Sequence, residues 1–535
     1  MGDGRLLALD WIVLLGYFVL LVASGLWFGR RKQHDTEDYF LAGRRMPAWA
    51  VSVSIVATSM SAASFIGVPQ SSYNGNLTYL ATNIGMVIAA GVIARVFIPA
   101  FYRQRVQTIY ELLGIRFGPS ASTSASVAFM LGRIMASGAR IYIGAIPASI
   151  VVFGDLEPGH LVLAIALLSF IGIVYTLVGG VGSVIWTDVI QMGVFIGACI
   201  VAIVLIAGHI QAPWSEVAAA LREGSGQTSK LTLIDSGLRE TGFDWVSAFT
   251  LPACIIGFTI MGIGSYGVDH DLVQRMLTCR DANRGGTSVI GGILLGVPSV
   301  ALFLIVGLLL WVFYQRPELT DSNAVAPEDT RRVFLEFIIE EMPAGVSGLM
   351  LSGLFAAGLS SVNSTINAMS ATFVNDVYRK IVRGRHEKHY LRTGRICVVG
   401  WGIVLGAFAC VCVFWQQHIG HINESSDLLD FALSVMTFAY AGLVAVFLTA
   451  LLTRRGSARS AIAALVVGFV AVLLMDRIFW DRFVDLAAME RTAAQTGEKP
   501  LLLALVSLAF VWKLTLATGV AMVVCVAGKT RKDAA

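Results

Sequence analysis

Thirteen runs of roughly 20 mostly apolar residues fill this chain, and no motif constrains its fold as strongly. They lie at about 9–29, 47–69, 78–101, 122–153, 160–179, 185–208, 244–267, 287–314, 344–376, 394–415, 428–452, 459–475 and 501–527. Each is long enough to cross the hydrocarbon core of a bilayer as a helix. Only 14% of the 535 residues are charged and mean hydropathy is +0.74, whereas about a quarter of a soluble domain is charged. The pattern implies an all-α polytopic membrane protein of about 13 transmembrane helices, with no room for a soluble domain.

The first run is expected to remain in the mature protein. Its apolar core is longer than that of a cleaved leader, Asp3 and Asp10 are acidic, and Arg30-Arg31-Lys32 follows it. With the N-terminus outside, the basic connections 30–46, 102–121, 268–286, 377–393 and 453–459 and the tail 529–535 share one side. With Arg395 at the head of the next span, that side carries 24 Lys and Arg against 11, leaving Arg95, Arg133, Arg140 and Lys513 within spans. The positive-inside rule makes the richer side cytoplasmic. The expectation is a multi-pass cell (inner) membrane protein with an outer N-terminus and a cytoplasmic C-terminus.

The net charge of +4 follows from that topology. Membrane lipid is the expected surroundings, and neither a nucleic-acid patch nor an obligate protein partner is evident. Six of the seven cysteines fall in spans, with no disulfide or metal-site spacing.

Two spans carry small and polar residues through their middles: Ala57-Thr58-Ser59-Met60-Ser61-Ala62-Ala63-Ser64 in the second and Gly262-Ile263-Gly264-Ser265-Tyr266-Gly267 in the seventh. Such stretches either let helices pack closely or mark a helix break, which at membrane depth must be covered by protein or line a cavity. They stand five spans apart, and an odd offset reverses direction through the membrane. That suits the first helices of two inverted five-helix repeats at 47–208 and 244–452, with 9–29 an additional N-terminal helix and 459–527 additional C-terminal ones. Gly262, Gly264 and Gly267 also match GxGxxG, but no strand precedes them, so the dinucleotide reading fails.

In the ninth span Ala357, Ser360 and Ser361 stand at i, i+3 and i+4 and share a helix face. Two hydroxyls and a free carbonyl there, joined by carbonyls of a broken neighbour such as Ala57 and Met60, would offer five oxygens to a hard cation. A cage without a carboxylate would bind sodium weakly enough to release it. The bland alternative is a serine-rich packing face.

These features resemble the sodium:solute symporter family, which includes the glucose, proline, sialic acid, monocarboxylate, iodide and multivitamin carriers. The resemblance covers about residues 9–453. It rests on Asp38-Tyr39-Phe40-Leu41-Ala42-Gly43-Arg44, on Gly179-Gly180 leading to Val184-Ile185-Trp186-Thr187-Asp188-Val189-Ile190-Gln191, on Val273-Gln274-Arg275, and on Ser360-Ser361 with Asn375-Asp376-Val377-Tyr378 beyond. It implies a leucine-transporter-type fold, and a sodium site of Ala57, Met60 and Ala357 carbonyls with Ser360 and Ser361 hydroxyls. Asp188 matches the aspartate that helps hold a second sodium in sialic acid transporters. A structural ion pair, or a charge at a helix N-terminus, is the other reading of Asp188.

By the same resemblance the solute sits beside the breaks, which nominates Thr58, Ser61, Ser64, Gln70, Asn83, Ser265 and Tyr266. Family sugar binders carry a histidine where Ser64 stands. Arg133 and Arg140 lie two turns apart in the fourth span and each needs a neutralising partner. An anionic solute held bidentately is one answer; freed carbonyls or an acidic residue on another span is the other. Ile98-Pro99-Ala100-Phe101-Tyr102 and Trp186-Thr187-Asp188 read closer to the monocarboxylate, multivitamin and sialic acid branch.

The expected function is therefore sodium-coupled secondary active symport of a small organic solute, an anionic carboxylate first, with a neutral amino acid, sugar or vitamin as the alternative. An uncoupled channel or sensor of the same fold is a further reading. An enzyme is not expected: there is no HExxH, and His270 between Asp269 and Asp271 sits at a cytoplasmic boundary rather than in a catalytic grouping.

Overall fold

The computed structural model describes residues 6–29, 35–224, 228–240, 242–322, 324–419, 428–496 and 500–528. Those residues are almost wholly helical, because in hydrocarbon each backbone N–H and C=O must be satisfied within its own segment. Among the described residues eight helices are long and apolar enough to cross a membrane, or nine when the bent pair Ala48–Ser59 and Ala62–Asn74 counts as one span. Four shorter apolar helices, Pro158–Val174, Ala253–Val268, Ala458–Leu474 and Phe510–Val526, accompany them. The protein is a multi-pass membrane protein. One small departure from all-α is a two-stranded antiparallel pair, β1 (Leu238–Arg239) and β2 (Gly242–Phe243), in a polar connection where Gly237 and Gly242 take positive φ.

The chain forms two compact units. The first comprises Met1–Leu80, Arg133–Leu233 and His270–Ala432; the second comprises Ala81–Gly132, Ile234–Asp269 and Leu433–Ala535. The stretches 47–208 and 244–452 each contribute to both.

The first unit contains α1 (Ala8–Gly29), α2 (Ala48–Ser59) and α3 (Ala62–Asn74), and most of α4 (Pro119–Phe153). It continues with α5 (Pro158–Gly208), α6 (His270–Leu277), α7 (Ala282–Gln315), α8 (Val346–Thr372) and α9 (Glu387–Ile419). In α1, Leu14, Tyr17 and Leu21 recur at helical spacing and are buried, the last two against Val184 and Ala356. Leu15, Val19 and Trp27 on its other sides are more than half exposed, as suits a helix bordered by lipid.

The predicted break in the second span is present. α2 ends at Ser59, Met60 and Ser61 take extended backbone (φ −80°, ψ 132° and φ −133°, ψ 177°), and α3 leaves at a 68° bend. α5 is kinked at Gly180 (φ 60°, ψ −174°), a conformation that costs glycine little for want of a Cβ. That kink divides the two apolar runs 160–179 and 185–208.

All but three of the 27 residues of α8 are buried, and it packs along α5. Its head is held by α1: Asp10 Oδ1 accepts the Gly345 N–H at 2.7 Å and the Gly348 N–H at 3.0 Å. An anion there meets the unpaired amides and positive dipole end of a helix start. At Gly348 any side chain would run into the Asp10 backbone.

In the second unit Thr82–Val92 packs on Phe258–Ile263. The break expected at Gly262–Gly267 does not occur there. The helix runs on through a π-helical turn at Gly264–Val268, and only Asp269 becomes extended (φ −96°, ψ 114°). The glycines serve close packing instead: Gly262 faces Met86 and Ala89, Gly264 the Tyr440 ring, and Gly267 Ile93. Tyr440 donates a 2.7 Å hydrogen bond to Asp269.

Candidate functional site

Helical spacing puts Ala357, Ser360 and Ser361 on one side of α8, facing the end of α2. Ala57, Met60, Ala357 and Ser360 line one pocket, with Gln191 and Phe195 of α5 also in its wall. Ser361 Oγ donates to the carbonyls of Thr58 at 3.1 Å and Met60 at 3.3 Å. Those carbonyls are available because the helix stops at Ser59. All five residues expected to bind sodium are at most 6% exposed. The oxygens on offer are carbonyls and hydroxyls, which suit a hard cation. Among the described residues no group of three or more His, Cys, Asp or Glu could hold a metal.

Gln191 is a pocket residue that the sequence does not single out. Its place one helical turn after Asp188 is the signal that could have found it.

Next to the pocket lies a buried chain of alternating charge. Ser360 Oγ donates to Asp188 Oδ1 at 2.6 Å, and Ser54 Oγ donates to Asp188 Oδ2 at 2.5 Å. Arg275 on α6 reaches Asp188 Oδ2 through Nη2 at 3.0 Å and Ser54 through Nε at 2.8 Å. One turn back on α6, Asp271 meets Arg275 Nη1 at 3.4 Å and Arg133 Nη1 at 3.1 Å. Ser364 and Thr365 of α8 also donate to Asp271, the latter at 2.9 Å. Asp188, Arg275, Asp271 and Arg133 are all at most 3% exposed. The four charges cancel, and burial makes each costly to leave unpaired.

Asp188 thus has the ion-pair partner of the structural reading and, through Ser360, direct contact with a residue of the pocket lined by Ala57, Met60 and Ala357. For Arg133, the acidic residue on another helix is the partner the structure supplies. The expectation that solute anions neutralise it gives way to Asp271, because a short internal ion pair already meets that charge.

Arg140 is placed differently. With Ala62, Gly144, Leu354 and Gly358 it lines a largely apolar cleft beside the first residue of α3. Thr58 Oγ1 donates to the Ser54 carbonyl at 2.8 Å, and Ser64 Oγ accepts the Ser61 N–H at 3.3 Å. The hydroxyls of Thr58 and Ser64 therefore serve the two helix ends at the break. Gln70 Nε2 donates to Thr330 Oγ1 at 3.4 Å. Asn83, Ser265 and Tyr266 belong to the second unit: Asn83 and Tyr266 are half-buried, and Ser265 is buried within the π-helical turn.

The family model described as "Sodium:solute symporter family" matches residues 39–468. The chain is 30% identical over 469 residues to the sodium/sialic acid symporter NanT of Aliivibrio fischeri, covering 87% of each. It is 27% identical over 470 residues to the sodium/sialic acid symporter SiaT of Proteus mirabilis, covering 87% of this chain and 89% of that protein. Its fold is similar to that of a solved Na+-coupled sialic acid symporter in a substrate-bound outward-open state, with TM-score 0.77, 24% identity and 97% of each chain covered. With a family match across most of its length and a broken helix that meets a serine-bearing helix through oxygen atoms, the chain belongs to the sodium:solute symporter family and is a sodium-coupled symporter.

Proposed function

We propose that this symporter imports an organic carboxylate, with Arg140 receiving the anion and sodium binding where α2 ends against α8. The observation that carries this reading is the position of Arg140, a permanent cation on the wall of an apolar cleft that adjoins the start of α3. In such surroundings a guanidinium favours an anion, and its fork matches a carboxylate bidentately. The sialic acid named for the relatives NanT and SiaT is itself a carboxylate.

In this reading sodium is held by the carbonyls of Ala57, Met60 and Ala357 and the hydroxyls of Ser360 and Ser361, and a second sodium by Asp188. Both are cargo that moves inward down the membrane potential, worth about 2.3 kcal/mol per charge per 100 mV. Sodium would draw Met60 and Ser361 together across the break and so set the angle at which Ser61, Ser64 and Gln70 at the head and along α3 meet the solute beside Thr58 at the end of α2. Asn83, Ser265 and Tyr266 are further solute candidates by family resemblance. Transport proceeds by alternating access. In this reading the four shorter apolar helices cross the membrane along with the long ones and the bent pair, giving thirteen spans, with inverted five-helix repeats of the leucine-transporter type at 47–208 and 244–452; the apolar length of these helices supports it. The N-terminus lies outside and the basic connections face the cytoplasm of an inner membrane.

Reconstitution in proteoliposomes tests this. Labelled sialic acid or a short monocarboxylate should accumulate above equilibrium only under an inward sodium gradient. Leakage that ignores the gradient would replace symport with an uncoupled channel, and accumulation of neutral solutes alone would overturn the carboxylate.

A further inference from the structure

We infer that Asp271 and Arg133, neither of which lines the sodium pocket, set sodium affinity by controlling how firmly Arg275 holds Asp188; this rests on the sodium site proposed above. Asp188 and Asp271 lie one turn apart along α8, since Ser360 contacts the first and Ser364 the second. Arg275 stands between them, with Nη2 on Asp188 and Nη1 on Asp271, where Nη1 also donates to the backbone carbonyl at 3.1 Å. Its contact with Asp188 is the tighter, at 3.0 Å against 3.4 Å to Asp271 Oδ1. The longer contact is at the edge of hydrogen-bond range and has room to shorten.

A sodium ion beside Ser360 and Arg275 are rivals for the same Asp188 carboxylate. When sodium enters, the arginine must yield part of its hold, and Asp271 is the anion placed to receive it. Asp271 is in turn shared with Arg133 at 3.1 Å. Arg133 therefore limits how strongly Asp271 draws Arg275 away from Asp188. Both are positioning residues and act only through Arg275.

The signs follow. Asp271→Asn leaves Arg275 with Asp188 as its one anionic partner, so sodium should bind at least fivefold more weakly. Arg133→Gln removes the arginine with which Arg275 shares Asp271, so sodium should bind more tightly. The double variant is the discriminating one. If only the local net charge matters, Asp271→Asn with Arg133→Gln restores neutrality and wild-type affinity. If the relay operates, the double variant behaves like Asp271→Asn, because Arg133 has lost the group it acts on.

Sodium binding is read without solute, from the sodium concentration that half-maximally raises the thermal unfolding temperature of the detergent-solubilised protein, and separately from sodium-dependent uptake. Should the singly charged variants fail to fold, as an uncompensated buried charge favours, the charge-neutral double variant decides alone. At least fivefold weaker sodium binding in it supports the relay, and wild-type binding overturns it. Ser360→Ala is the control: if it too leaves sodium binding unchanged, the sodium site itself is misplaced, whereas a shift in Ser360→Ala with none in the double variant removes the relay only.

Discussion

Ser360 donates a 2.6 Å hydrogen bond to Asp188, so the helix face proposed for one sodium touches the carboxylate proposed for a second. Replacing Ser360 by Ala removes an oxygen from both places, whereas Ser361→Ala removes one from the first alone. We expect Ser360→Ala to raise the half-saturating sodium concentration about tenfold, equivalent to about 1.4 kcal/mol, and to lower the Hill coefficient of uptake. Ser361→Ala should raise the concentration with less change in the coefficient. Sodium titrations of uptake check both, and unchanged curves in the two variants would remove these hydroxyls from the site.

Arg140 and Arg133 lie on the same helix but face different surroundings, an apolar cleft and Asp271 respectively. Arg140→Gln should abolish carboxylate uptake while sodium still stabilises the protein against heat. Arg140→Lys should keep weak uptake, since an ammonium supplies charge without the planar fork. Normal uptake by a well-expressed Arg140→Gln protein would end its assignment to the solute.

Asp10 accepts two amides at the head of α8 and, through Oδ2, the Leu7 N–H at 2.9 Å. Asp10→Ala should destabilise the protein by about 1–3 kcal/mol, the cost of leaving buried donors unmatched. It should leave the sodium half-saturation unchanged, because the site lies several turns along α8. A thermal melt together with a sodium titration separates the two effects, and a melt equal to wild type would show the anchor to be dispensable.

Lys230 Nζ donates to the carbonyls of Tyr73 at 2.6 Å and Asn74 at 3.2 Å, the last residues of α3, and lies 5.2 Å from the Trp311 ring. Burial pushes its ammonium from the usual 10.5 down to about 8. Between pH 8 and 10.5 the unfolded chain then binds a proton that the folded chain has released, so this group makes stability rise with pH across that window and leaves it level below. Melting temperatures of wild type relative to Lys230→Met should therefore climb from pH 8 to pH 10. A difference that stays level or falls would contradict the assignment.

Much of the candidate site can be read locally. The spacing of Ala357, Ser360 and Ser361 needs only a helix, and the small and polar run from Ala57 to Ser64 offers a break as one of its two readings, the one realised at Met60 and Ser61. The second small-residue stretch reads equally as a break or as a packing surface. Which it is depends on the neighbours: Met86, Ala89, Ile93 and Tyr440 press on those glycines and the helix continues to Asp269.

Length and apolarity of its runs, together with motif order, determined on their own that this chain is helical, crosses the membrane many times and resembles sodium symporters, because solvent and helix formation act on contiguous residues. The pairing of the buried charges was decided only by the tertiary structure. Asp188, Arg275, Asp271 and Arg133 come from three separate helices, and no local pattern says which cation will stand beside which anion. Packing set Asp271 beside Arg133 and put Arg140 on the wall of an apolar cleft, and those two placements make the arginines candidates for two different tasks.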